Sequence, residues 1–150
     1  MEKTKEIVNR KSKFEYTFLQ GFEAGIMLKG TEVKSLRAGN ANLSDAYCHF
    51  VNGELFIKSL FIAEYDFGNL NNHETRRDRK LLLKKTELKK IERRVTEKGM
   101  SVVPYKIYFS ERGFAKVQVF LAQGKKSFDK RTSIKEKDMK RDMDRIKKLT

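Results

Sequence analysis

Aromatic and polar residues alternate through Phe14-Glu15-Tyr16-Thr17-Phe18, the two-residue period of a half-buried strand, so the pattern predicts strand over 14–29. Gly21 and Gly25 interrupt that run and predict a bend or bulge, as where a sheet curls into a barrel. Gly30 ends the strand, and Thr31 is placed to cap a short helix running through Arg37 to a stop at Gly39. Residues 46–51 and 54–63 read as two more strands joined by Asn52-Gly53, a strong hairpin signal because both residues accept positive φ. Residues 64–75 read as loop. Thr75 and Asp78 resemble a capping box that opens a helical region from Arg76 to Leu83. Leu88, Ile91 and Val95 then recur at helical spacing up to a stop at Gly99. Two final strands follow, 101–110 and 114–122, joined by the turn-like Ser110-Glu111-Arg112-Gly113. Pro104 suits an edge or a bulge.

This order predicts a mainly β (α+β) chain with about six short antiparallel strands and two to three helices. A small antiparallel oligonucleotide-binding-like β-barrel, closed or partly open, fits the count. The chain divides into a basic N-terminal arm (1–13), the barrel (14–131) and a basic C-terminal tail (132–150). In the tail, Met139, Met143, Ile146 and Leu149 share one helical face and nearly everything else is charged. One thin apolar stripe has little to pack against, which predicts a tail disordered alone and helical when bound. A helix docked on the barrel is the alternative. A membrane-surface helix is disfavoured, because no Trp or Phe anchors that face.

Composition narrows the class. A chain of 150 residues with 39% hydrophobic and 11% aromatic content can build a real core. Gly 9, Pro 1 and Cys 1 exclude collagen-like and disulfide-framework readings. No apolar run reaches the roughly 18–20 residues that span a bilayer, and the first residues lead into no hydrophobic signal region. The expectation is a soluble, monomeric, cytoplasmic protein.

The net charge of +14 is segregated. Residues 1–13 net +3, 76–94 net +7 and 124–150 net +6, leaving the remainder slightly acidic. That distribution points to a polyanion, with nucleic acid ahead of an anionic membrane.

No catalytic constellation emerges. Cys48 and His49 are adjacent in a predicted strand, so their side chains face opposite ways. His73 stands alone in a polar loop, no Cys/His set has zinc spacing, and Gly124-Lys125-Lys126 lacks the upstream glycine of a phosphate loop. No enzyme activity, cofactor or metal is expected.

Specific blocks then accumulate in order. Phe22-Glu23-Ala24-Gly25-Ile26, Gly30-Thr31-Glu32-Val33-Lys34-Ser35-Leu36-Arg37, Asn42-Leu43-Ser44-Asp45-Ala46-Tyr47 and Arg77-Asp78-Arg79-Lys80-Leu81-Leu82-Leu83 are followed by Val102-Val103-Pro104, Lys116-Val117 and Gly124-Lys125-Lys126-Ser127-Phe128-Asp129-Lys130-Arg131. Together they resemble the small protein B family, the SsrA-binding proteins of bacteria, over nearly the whole chain. Thr75 stands where that family is expected to carry proline, a departure that concerns loop rigidity.

The resemblance implies an oligonucleotide-binding-type barrel that partners transfer-messenger RNA in trans-translation, the rescue of stalled ribosomes. It implies that the protein holds the tRNA-like domain and occupies the empty decoding site, with the tail following the vacant messenger channel beside small-subunit ribosomal RNA. Alanyl-tRNA synthetase and elongation factor Tu are implied only indirectly, through the RNA. A general structural rRNA- or tRNA-binding protein is the alternative.

The family's RNA-binding positions map onto Asn9, Tyr16, Glu23, Leu82 and Lys116. Tyr16 offers a stacking face, Leu82 a surface for unstacked bases or sugar, Lys116 a point charge for phosphate, and Glu23 an acceptor for base amino groups or 2′-hydroxyls, with a core position as the alternative for Tyr16 and Leu82. Lys34, Arg37, Arg79, Lys80 and Lys125 are further RNA-contact candidates, with a solvated charged face as the alternative for the first four. Asp129, Lys130 and Arg131 match the family's ribosome-acting motif, in which Asp129 is placed to cap a following helix, and Phe128, where relatives often carry His or Tyr, is a ribosome-binding candidate that would stack on a decoding-site base.

Overall fold

The computed structural model describes residues 6–65 and 72–125. Its elements run β1 (Ile7–Val8), α1 (Arg10–Glu15), β2 (Tyr16–Ile26), α2 (Gly30–Arg37), β3 (Ala41–Asn42), β4 (Tyr47–Val51), β5 (Glu54–Lys58), β6 (Phe61–Ile62), β7 (Arg79–Leu82), α3 (Lys85–Lys98), β8 (Ser101–Phe109) and β9 (Ala115–Gly124). Seven strands form one antiparallel sheet in the order β1-β8-β9-β2-β7-β5-β4, and β3 pairs with β6 beside it. The fold is thus mainly antiparallel β with three helices among the described residues. The hydrogen-bonded sheet is not closed into a barrel, since β1 and β4 remain its edges.

Alternation along the strands builds the core. Phe22, Ala24 and Ile26 of β2 point inward with Leu55 and Ile57 of β5, Leu81 of β7, and Val117, Val119 and Leu121 of β9. α2 adds Leu36 and α3 adds Ile91, with Leu88 and Val95 partly buried alongside. Each such large aliphatic side chain contributes about 1.5–3 kcal/mol of burial. α3 ends as its sequence predicts, with Gly99 in the left-handed region at φ 64°. Asn52 (φ 51°) and Gly53 (φ 79°) are both left-handed, as a two-residue hairpin turn between β4 and β5 requires. Pro104 sits at a register irregularity in β8.

Four local expectations are corrected. The strand predicted from residue 14 begins at Tyr16, because Arg10–Glu15 close a helical turn in which the Ser12 hydroxyl donates to the Asn9 carbonyl at 2.6 Å. The predicted strand over 54–63 breaks at Ser59, which adopts φ 59°. Thr31 does not cap α2. Lys29 is the cap residue, its backbone N–H donates to Glu32 Oε1 at 2.8 Å, and Thr31 Oγ1 lies 2.8 Å from His73 Nδ1 instead. The helix predicted over 76–83 is replaced at Arg79–Leu82 by strand β7. There Arg79 and Leu81 point inward and Lys80 and Leu82 outward. An arginine at a core position hides the two-residue period from any reading that counts it as polar.

Candidate nucleic-acid interface

The outer face of the sheet collects side chains far apart in sequence. Gly25 of β2 is paired with Leu82 of β7 on one side and with Lys116 of β9 on the other, and Lys116 is paired with Tyr108 of β8. Glu23 lies two residues from Gly25 and therefore shares its face. Leu82 is 49% exposed, too open for the core position its hydrophobicity suggests. A Cβ on Gly25 would meet the Leu82 Cβ at 3.4 Å, so the glycine keeps a notch open between Leu82 and Lys116.

The Tyr108 hydroxyl donates to Glu23 Oε2. Burial, that hydrogen bond and the Glu23 charge, with a lesser effect of Glu6, push the Tyr108 phenol up to about 12. Tyr108 therefore stays protonated and donates to a charged carboxylate. Nothing in the local sequence around Tyr108 signals this role, because its partner lies 85 residues away. Lys80 shares the outer side of β7 with Leu82, and its Nζ lies 2.9 Å from Glu54 Oε1.

Arg79 departs from the expectation of a phosphate contact. It is fully buried, with Nε donating to Glu32 Oε2, Nη1 to the Leu60 carbonyl at 2.7 Å and Nη2 to the Thr75 carbonyl at 3.2 Å. Arg77 Nη2 donates to the other carboxylate oxygen of Glu32 at 2.6 Å. Burial opposes the charge on Glu32, but the hydrogen bonds from Arg77, from the Lys29 backbone and from Arg79, with the Arg79 charge, hold its carboxyl below the usual value of 4.5. The cluster ties the start of α2 to β7 and so sets where Lys80 and Leu82 stand.

Asn9 and Tyr16 lie elsewhere. Asn9 is buried, and its Nδ2 donates to the carbonyls of Leu43 (3.3 Å) and Pro104 (3.5 Å), a bracing role rather than an open RNA contact. Tyr16, at the start of β2, is half-buried and borders a cleft of about 530 Å³ between α1, β4, α3 and the start of β8, also lined by His49 and Phe50. Cys48 borders the same cleft, and burial pushes its thiol up, away from thiolate chemistry. His73 is buried and satisfied, with Nε2 2.9 Å from the Ile62 carbonyl. Among the described residues no cluster of His, Cys, Asp or Glu is placed to hold a metal ion.

Lys34 and Arg37 are exposed on α2. Lys34 Nζ lies 5.2 Å from the centre of the Tyr65 ring. Arg37 reaches the β8–β9 turn, with Nη2 donating to the Gly113 carbonyl at 3.4 Å and the guanidinium 5.3 Å from the Phe109 ring centre. Lys125 follows β9, and its backbone N–H donates to the Glu15 carbonyl at 2.8 Å. Phe128, Asp129, Lys130 and Arg131, with the tail helix expected beyond them, lie outside the described residues. The structure thus brings Glu23, Leu82 and Lys116 together, places Asn9 and Tyr16 apart from them, and withdraws Arg79 into the interior.

The family described as "SmpB protein" matches residues 6–149. The chain belongs to the SmpB family. Proteins of the family named "SsrA-binding protein" resemble it throughout: that of Phocaeicola vulgatus is 51% identical over 93% of both chains. The Flavobacterium johnsoniae protein is 49% identical over 99% of this chain and 98% of its own, and that of Desulforamulus reducens is 53% identical over 91% and 85%. A family member in a solved structure described as "tmRNA-SmpB: a journey to the center of the bacterial ribosome" superposes with a TM-score of 0.68 at 49% identity, covering 81% of this chain and 85% of that one. No described helix is long and apolar enough to cross a membrane.

Proposed function

We infer that this chain is the RNA-binding protein of trans-translation: it binds the tRNA-like domain of transfer-messenger RNA and delivers it to stalled ribosomes in the cytoplasm. Near-full-length likeness to proteins named for binding SsrA supports the identity of the RNA. The observation that carries the reading is the meeting of Glu23, Leu82 and Lys116 on one exposed sheet face, across three adjacent strands. Lys116 meets phosphate, Leu82 packs against an unstacked base or sugar, and Glu23 accepts from base amino groups or 2′-hydroxyls. Tyr16 borders a separate cleft and offers a second contact. Phe128, Asp129, Lys130, Arg131 and the tail act at the decoding centre in this reading. The ribosome does the chemistry, and this protein positions the RNA without cofactor or catalysis.

The test is a gel-shift titration with transfer-messenger RNA near physiological salt, competed by excess unfractionated tRNA. Binding that survives the competitor is expected. Complete displacement would reduce the protein to a general binder of structured RNA and overturn the reading.

A further inference from the structure

Phe114 is 65% exposed, the highest value among the exposed large hydrophobic side chains of the described residues. It is not on a loose loop. Gly113 N–H donates to the Ser110 carbonyl at 2.8 Å, Ser110 N–H donates to the Phe114 carbonyl at 2.8 Å, and Phe114 N–H donates to Ser110 Oγ at 3.2 Å. Gly113 takes φ 85°, a left-handed conformation that suits glycine. Arg37 braces the same turn from α2. Both backbone groups of Phe114 are therefore held, and its ring is presented to solvent from a fixed base.

Its position along the ladder gives that ring a direction. Tyr108 pairs with Lys116 and Phe109 with Ala115, and the Ser110–Phe114 hydrogen bond carries the ladder one step further. Alternation then places Phe114 on the face of Lys116 and Tyr108. Two steps of roughly 3.3 Å separate it from Lys116 along the strand. Lys116 shares its face and Arg112 is exposed in the turn beside Glu111, whereas Arg37 packs on the Phe109 ring and so grips the turn from the opposite face.

We propose that Phe114 is a stacking platform for an unstacked base of the bound RNA, with Lys116 meeting a neighbouring phosphate on the same face. The proposal rests on the reading of this chain as a binder of the tRNA-like domain and extends its interface to the hairpin tip. A phenyl ring held outward on the face of Lys116 suits a nucleobase, whose π-face it stacks on whatever the sequence. Continuity with Lys116 favours RNA over a protein partner, for which an aliphatic side chain would serve equally.

The chain contains no tryptophan, so Phe114→Trp installs a single fluorescent reporter. The full-length variant, titrated with a transcript of the tRNA-like domain, is expected to bind as wild type with its emission quenched by the stacked base. Phe114→Tyr should bind nearly as wild type, whereas Phe114→Ala and Phe114→Leu should each bind about tenfold more weakly or worse, the scale of one base–aromatic stack. Thermal unfolding of all four variants should match wild type, because the ring is exposed. Wild-type affinity in Phe114→Ala, full retention in Phe114→Leu, or an unquenched Trp at saturation would each overturn the proposal. If wild type resists bulk tRNA while Phe114→Ala is unaffected, this inference alone fails. If bulk tRNA displaces wild type, the underlying functional reading and this inference fail together.

Discussion

The Tyr108 hydroxyl reaches across β9 to hydrogen-bond the Glu23 carboxylate on β2, joining two strands that are not neighbours in the sheet. The contact passes diagonally over β9 between Lys116 and Gln118, which pair with Tyr108 and Glu23 respectively. An acid on a predicted RNA face would ordinarily repel phosphate. Pinned by Tyr108, this one is aimed, and the phenol beside it stays neutral.

Glu23→Gln is accordingly expected to weaken RNA binding even though it makes the protein more basic. The same substitution should lower the Tyr108 pKa from about 12 towards the ordinary 10, because a charged acceptor is replaced by a neutral amide. Gel shift and tyrosinate absorbance in an alkaline titration measure the two effects. Tighter RNA binding with an unmoved tyrosine would contradict both roles.

The buried Glu32 gives a pH dependence of definite sign. Its carboxyl is held below 4.5 in the folded state, so its stabilisation is complete above that pH and is lost as pH falls through the lower folded value. Glu32→Gln should destabilise the protein at neutral pH by about 3–5 kcal/mol, since it leaves the buried Arg79 without its counter-charge. It should also flatten the fall in stability below that pH. Urea denaturation across an acidic series tests this, and parallel curves for the two proteins would refute it.

Gly21 is set against an aromatic cluster. A Cβ there would come within 2.8 Å of Phe120 Cε1, and that ring stacks on Phe18 at 4.5 Å and meets Tyr105 edge-on at 5.8 Å. The ring has little freedom to move, so Gly21→Ala is expected to cost about 1–3 kcal/mol as overpacking. A shift in the denaturation midpoint measures it, and unchanged stability would mean that the cluster yields easily.

Removal of residues 132–150 should leave binding of the tRNA-like domain largely intact and abolish ribosome rescue, because Glu23, Leu82 and Lys116 all precede the cut. Gel shift and a peptide-tagging assay on stalled ribosomes separate the two activities. Equal loss of both would end the division of labour between sheet and tail.

Local chemistry determined much of this protein. The Asn52-Gly53 hairpin, the stop of α3 at Gly99, the last two strands and the segregated positive charge follow from turn propensity, periodicity and composition, which act over a few residues. Ordered family blocks also pointed to Glu23, Leu82 and Lys116. Only the tertiary structure decided which of the charges are available. Arg79 reads as surface cation in a basic run, yet Glu32, 47 residues away, compensates its burial, and pairing with β2 and β5 makes a strand of the expected helix. Glu23 reads as a lone acid until Tyr108 reaches it across a strand. Pairing over such separations depends on strand order and register, which no local pattern encodes, and that order sets the notch at Gly25 between Leu82 and Lys116.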